Sequence, residues 1–294
     1  RNVGDVPLPE RVFTGGVREA IGRRISRLPS WALPLMQTAA LAGRAIDINL
    51  LRGLGGVSVD IETWLTAGAN VGVLEIADER WRFSHEQVRD MLVSELPQDM
   101  RRQLHVTIVD GLERVYPGDT RYAEASFEHL LAAGEAARAL PYALSGARAA
   151  LRIGRYDAVR RIVEAALNID VSMAVRCDLL LLMGEAALYQ SDYAETERIT
   201  RDLLDGLPSD DAQCPAVLLL LGRSLLLRGE YPEARQLLMQ ARTLAETVGA
   251  ARISAGLAFG LGQIAEKKGE RETAQTWYED ALARYRALDD AAGI

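Results

Sequence analysis

Gly184-Glu-Ala-Ala-Leu-Tyr-Gln-Ser-Asp-Tyr193, Gly222-Arg-Ser-Leu-Leu-Leu-Arg-Gly-Glu-Tyr231 and Gly262-Gln-Ile-Ala-Glu-Lys-Lys-Gly-Glu-Arg271 share one spacing from a small residue to a turn. Ala147 to Tyr156 is a fourth copy, and the copies recur at 37, 38 and 40 residues. Repetition at such a period signals stacked helical units, each unable to bury its apolar face alone. Beyond each turn a second helix carries a small or apolar residue three and ten positions on: Val159 and Ala166, Thr196 and Leu203, Ala234 and Ala241, Ala274 and Ala281. These are the positions where paired helices come close.

The pattern resembles the tetratricopeptide repeat (TPR), two antiparallel helices with a small residue at their crossing and a Gly-Asp/Asn-Tyr turn between them. Gly154-Arg155-Tyr156 and Gly229-Glu230-Tyr231 match that turn, while Ser191-Asp192-Tyr193 and Gly269-Glu270-Arg271 each depart at one position. The spacing exceeds the usual repeat of about 34 residues, which implies longer helices or inter-repeat loops such as 206–211. The resemblance implies a superhelix with a concave surface. With the close-packed small residue fixed, the next residue along each first helix points into the groove: Arg148, Glu185, Arg223 and Gln263. One turn back on the same face lie Leu144, Leu181, Leu219 and Phe259. A polar row beside an apolar row makes a peptide or protein groove; the alternative is that the leucines are inter-repeat core.

Outside the repeats, 294 residues predict about two domains, and 49% hydrophobic with 26% charged residues is an ordinary globular composition. No apolar run approaches the roughly 20 residues of a membrane span, so a cytoplasmic protein without membrane contact is expected. The net charge of −7 disfavours bulk attraction to nucleic acid. Cys177 and Cys214 form no C-x-x-C pair and read as core thiols in a reducing compartment. Lys267 and Lys268 are the only lysines and neither ends a phosphate-cradling G-x-x-x-x-G-K-[ST] loop. Gly260-Leu261-Gly262 and Gly53-Leu54-Gly55-Gly56 complete no dinucleotide fingerprint, and His85, His105 and His129 have no metal ligands at suitable spacing. The chain therefore reads as a non-enzyme with no cofactor or metal of its own.

The first third does not repeat. Amphipathic helices are expected at 18–28, from a Ser30 cap to about 42, at 47–54 and at 58–69, followed by a hairpin over 71–83. Ser84-His85-Glu86-Gln87 reads as a capping box opening the next helix. This is the element order of a winged helix. Its second turn helix offers Asp60 and Glu62 and no base, which phosphates would repel, so direct DNA binding is disfavoured. Arg23, Arg24 and Arg27 read as a solvated face.

Val6-Pro-Leu-Pro-Glu-Arg-Val12, Val17-Arg-Glu-Ala-Ile-Gly-Arg-Arg-Ile-Ser-Arg-Leu28, Gly43-Arg-Ala-Ile-Asp47 and Trp81-Arg-Phe-Ser-His-Glu-Gln-Val-Arg-Asp-Met-Leu92 resemble the segment after the ATPase core in STAND-class signalling NTPases, including the large ATP-binding LuxR-type and maltose-activator-like bacterial regulators. Leu131-Ala-Ala-Gly-Glu and Ala139-Leu-Pro-Tyr-Ala-Leu resemble the helices joining winged helix to repeats in that group. The resemblance implies a mainly α chain, with a winged-helix domain (with a short β-hairpin) followed by a TPR-like α-α superhelix. Its segments would be 1–16, a linker from an upstream ATPase core; 17–97, the winged helix; 98–136, connecting helices; and 137–294, TPR-like repeats. The opening at Arg1, without an initiator methionine, fits a piece of a longer protein. In that class ADP holds a closed state, and the histidine matched by His85 contacts its β-phosphate; Arg89 would support the phosphate or pair with Glu86. The alternative for His85 is packing beside Phe83. ATP and ADP would belong to the parent, and the repeats would bind a protein, peptide or small-molecule inducer. The other readings are a free-standing TPR scaffold and a winged-helix DNA-binding regulator.

Overall fold

The computed structural model describes residues 13–54 and 59–290. The expected Val6–Val12 stretch, Ser58 and the Gly55-Gly56 turn lie outside the described residues, as does most of the linker expected over 1–16. The chain divides into two compact units, up to Tyr142 and from Ala143 onward.

The first unit contains α1 (Phe13–Ile25), α2 (Leu33–Ala42), α3 (Ile48–Gly53), α4 (Ile61–Asn70), β1 (Leu74–Ala77), β2 (Arg80–Phe83), α5 (Glu86–Ser94), α6 (Gln98–Val115) and α7 (Ala123–Ala133). Its core gathers Ile21, Met36, Leu51, Trp64, Phe83, Val88 and Leu92, and Ile108 and Leu112 of α6 join it. The expected connecting stretch thus packs two side chains of α6 into this core. Buried Trp64 satisfies its indole by donating to the Ala32 carbonyl at 3.1 Å. That leaves none of its polarity unpaired.

Helix starts differ from the sequence reading in instructive ways. Asp47 and Asp60 cap α3 and α4, accepting from Leu50 N–H and Thr63 N–H, both at 2.9 Å. Ser30 does not cap α2, which starts at Leu33 after Ala32 with no side-chain cap bond. The expected capping box is not formed either. Ser84 donates its hydroxyl to the Gly72 carbonyl at 2.9 Å, so His85 occupies the cap position of α5 without a side-chain bond. The Ser84 hydroxyl is committed to a tertiary carbonyl and caps no first-turn N–H. Nor is Arg24 simply solvated, since it donates to the same Gly72 carbonyl at 3.3 Å.

β1 and β2 pair antiparallel, Leu74 opposite Phe83 and Ala77 opposite Arg80. Asp78 and Glu79 join them with φ of 50° and 60°, the two left-handed residues a tight hairpin needs. The strand begins at Leu74 and not at Val71 because Gly72 turns at φ 73°. Residues 44–46 border β2: Ile46 N–H donates to Trp81 O at 2.8 Å, and Phe83 N–H to Arg44 O at 3.1 Å. Asp47 also accepts from the hydroxyls of Tyr116 at 2.9 Å and Tyr122 at 3.3 Å, whose rings stack at 4.4 Å. One carboxylate thus caps α3 and anchors the far end of α6.

His105 on α6 and His129 on α7 meet, Nδ1 to Nδ1, at 2.7 Å. One ring must donate and the other accept, so at least the accepting ring is neutral. Burial, then the facing His105, pushes His129 down to about 4. His105 is lowered by burial and by Arg101.

Ala136–Arg152 forms α8, in which the boundary between units falls. The second unit continues with α9 (Tyr156–Leu167), α10 (Met173–Tyr189), α11 (Tyr193–Gly206), α12 (Cys214–Arg228), α13 (Tyr231–Val248), α14 (Ala251–Lys267) and α15 (Arg271–Ala287). It is a TPR-like stack of helix pairs. The four aligned turn residues Gly154, Ser191, Gly229 and Gly269 are all left-handed, with φ of 74°, 62°, 86° and 78°. After each, the next N–H returns to a carbonyl five residues back at 2.9 Å: Arg155 to Ala150, Asp192 to Ala187, Glu230 to Leu225 and Glu270 to Ala265. These are four copies of one Schellman closure. The long period is accounted for by helices such as α13, 18 residues, and by the loop leading from α11 to α12.

The small residues sit where the alignment put them. All eight of Val159, Ala166, Thr196, Leu203, Ala234, Ala241, Ala274 and Ala281 are buried. Thr196 is tolerated because its hydroxyl donates back to Asp192 O at 3.0 Å and Gly184 O at 3.2 Å. Gly260 and Gly262 are mid-helix contact points in α14. A Cβ at Gly262 would lie 2.7 Å from the Tyr278 ring.

Two outcomes test this description. Ser191 alone among the four turn residues carries a Cβ in left-handed backbone, so Ser191→Gly is expected to stabilise the repeat unit by about 0.5–1 kcal/mol in urea denaturation; a loss of stability would contradict the register. For His129 the folded pKa lies below the ordinary 6.5, so the folded state binds fewer protons than the unfolded chain. The neutral pair's stability is complete above about pH 6.5 and falls as pH drops toward 4, by up to roughly 3 kcal/mol. An NMR titration should find the His129 ring neutral at pH 5, and titration near 6.5 would contradict the burial that lowers it.

Candidate functional site

Three long helices of the repeat unit, α10, α12 and α14, present the same register face. Glu185, Arg223 and Gln263 are equivalent positions on them, and Leu219 and Phe259 lie one turn back. The structure brings these five together around a cavity of about 590 Å³. Arg148 and Leu181, expected in the same rows, do not line it. Arg148 instead reaches Asp178 at 3.8 Å, and Leu181 is half-buried outside the cavity.

The cavity has further walls that the row argument did not supply. Tyr189 and Leu227 stand one turn beyond Glu185 and Arg223 on their helices, Arg252 and Gly256 come from the first turns of α14, and Tyr285 reaches in from α15. At Gly256 a Cβ would crowd Leu219 Cδ2 at 3.0 Å and meet the Tyr285 hydroxyl at an ordinary contact distance of 3.6 Å. The face extends one turn each way, so a reading at i+4 finds Tyr189 and Leu227. Tyr285 belongs to the second helix of its pair and carries no such signal.

Three large apolar side chains on this surface remain exposed: Tyr189 at 53%, Leu227 at 54% and Phe259 at 46%. Phe259 leans on Tyr278, with ring centroids 5.7 Å apart, and Tyr189 on Tyr156 at 6.0 Å. The Arg223 guanidinium lies 6.0 Å from the Tyr189 ring centre, at the limit of a cation–π contact. Burial raises Glu185 above the usual carboxylate range, while Arg223, Arg252 and Arg148 pull it down. Burial likewise raises Tyr285.

In the first unit His85 is exposed at the start of α5, whereas Phe83 is fully buried. His85 is therefore outside the core that Phe83 joins. Arg89, one turn on, lies 3.8 Å from Glu86. On α4, Asp60 is spent on Thr63, Glu62 is exposed and no basic residue is present. Positive charge gathers instead at the hairpin, where Arg44, Arg80 and Arg82 share a cleft with Asp78 and Arg82 is paired with Glu75 at 2.8 Å.

Cys177 and Cys214 are buried free thiols, and burial pushes Cys177 up to about 12, which suits packing and not nucleophilic chemistry. Among the described residues no group of three or more His, Cys, Asp or Glu could hold a metal ion, and no helix is long and apolar enough to cross a membrane.

The tetratricopeptide repeat family model matches residues 213–287, which is α12 to α15 with the residue before them. No curated protein matches. Among solved structures the chain is similar to a Signal Transduction ATPase with Numerous Domains (STAND) protein with a tetratricopeptide repeat sensor from Pyrococcus horikoshii, at 13% identity and a TM-score of 0.40, over 99% of this chain and 48% of that one. The chain thus spans about half the length of that protein. It is also similar to MamA from Desulfovibrio magneticus RS-1, at 15% identity and a TM-score of 0.45, over 66% of this chain and 100% of that one. A third similarity is to BtubC from P. vanneervenii, at 15% identity and a TM-score of 0.47, over 83% of this chain and 94% of that one.

Proposed function

We propose that the chain is the regulatory and sensing part of a STAND-type signalling ATPase, non-catalytic in itself. Its TPR-like arm binds an inducer or partner, and a winged helix latches the nucleotide state of an upstream ATPase core. The observation that carries the binding role is the groove: Tyr189, Leu227 and Phe259 hold apolar surface in water beside polar Glu185, Arg223 and Gln263. Exposed apolar surface gathered at a concave site costs solubility and is retained where something covers it. A protein-interaction scaffold without nucleotide control uses the same groove, so the groove alone supports the coarser role of sensor or scaffold.

The finer reading rests on the first unit. Trp81 to Leu92, the stretch resembling the STAND segment, spans β2 and α5. The order α1 to α4, hairpin, α5, with residues 44–46 bordering β2, fits a winged helix. His85 stands exposed where α5 presents free backbone N–H groups, a place suited to an anion. The acidic start of α4 argues against DNA recognition by that helix, which favours the latch over the DNA-binding regulator.

In the longer protein carrying this chain and its ATPase core, His85→Ala is expected to weaken ADP retention about tenfold or more, the size of a lost charge-assisted hydrogen bond. It should leave stability within about 0.5 kcal/mol because the side chain is exposed. The measurement is ADP dissociation beside thermal unfolding. Unchanged ADP affinity would remove the latch and leave the scaffold.

A further inference from the structure

Charge pairing in the groove is uneven. Arg252 is held by Asp290 at 2.7 Å, and Arg148 lies 3.8 Å from Asp178. Glu185 and Arg223 make no close ion pair, although they attract each other at longer range and Glu185 also feels Arg252 and Arg148. Both line the cavity and are half-buried, and among the described residues neither has an ion-pair partner within 4.0 Å, each other included. They occupy the same register position on α10 and α12, adjacent helices of the kind that pack about 8–10 Å apart. The pocket therefore presents Glu185 and Arg223 on adjacent helices without a close ion pair between them, beside Arg252, which Asp290 holds.

We propose that this groove takes a small zwitterion with an apolar body, its cationic group bound by Glu185 and its anionic group by Arg223. The inference rests on the binding role above and adds the ligand's chemistry. A groove for an acidic or basic polymer carries one sign of charge, whereas these two unpaired groups sum to zero. Half-buried charges are screened less than exposed ones, so each gains from a counter-charge in direct contact, which the longer-range attraction between Glu185 and the arginines does not supply. The Tyr189 ring stands one turn from Glu185 and can face the same cation. Leu219, Ile253 and Phe259 offer the apolar wall between the charged ends. A volume of about 590 Å³ is that of a small-molecule site.

The test is ligand-observed NMR on the whole chain with three pools of apolar dipeptides: free at both ends, N-acetylated, and C-amidated. The free pool is expected to bind at least tenfold tighter than either capped pool. Glu185→Gln should erase the discrimination against acetylation and Arg223→Gln that against amidation, each leaving the other intact. Equal binding of all pools, abolished by Phe259→Ala, would overturn the zwitterion and keep the groove. Binding by none of the pools would overturn the inference and count against the binding role as well.

Discussion

Leu238 of α13 is the contact on which the repeat unit turns. Its side chain fills space that two other helices leave open by having no side chain there. A Cβ at Gly222 of α12 would lie 2.5 Å from Leu238 Cδ2, and one at Gly260 of α14 would lie 2.9 Å from Cδ1. One buried leucine is wedged between two glycine surfaces and fixes the spacing of three helices together. Around it pack Leu218, Leu221, Leu225, Ala241, Leu257 and Leu261. Interiors are dense enough that a shift of one methyl group at such a point is felt in its neighbours.

That spacing sets the groove. Gly222 precedes Arg223, so the face of α12 that meets Leu238 also determines where Arg223 points. The same holds for Gly184 before Glu185 and Gly262 before Gln263, whose absent Cβ atoms leave room for Leu220 and the Tyr278 ring. Close packing on one side of each long helix and the polar row on the other are two readings of one register. The Schellman closures keep that register from repeat to repeat, because each ends its helix at the same point and hands the chain to the next.

What could be read from sequence was what depends on spacing. The turn residues, the buried small residues and five of the seven groove residues follow from one alignment. Asp47 and Asp60 were within the expected helix starts, but Ser30 and Ser84 were misread as caps. Ser84 is held by a bond to Gly72 O, twelve residues away and marked by no local spacing, and the cap position falls to His85. The His105–His129 pair was invisible for the same reason. Its members are 24 residues apart and meet only through the packing of α6 on α7. Arg148 left the groove row because Asp178, which no repeat spacing marks, lies within reach. Tyr285 entered the cavity from a helix whose own pattern showed only its buried side.

The most direct measurement is a double-mutant cycle at the wedge, Gly222→Ala and Leu238→Ala, by urea denaturation. Leu238→Ala alone is expected to cost about 2–5 kcal/mol. With Leu238 in place, the new methyl group of Gly222→Ala clashes and costs about 1–3 kcal/mol. With Leu238 truncated that methyl group has room, and the better helix propensity of alanine should make the same change stabilising by about 1 kcal/mol. A sign reversal between the two backgrounds is the predicted result. The same effect of Gly222→Ala in both would contradict the wedge and the groove register built on it.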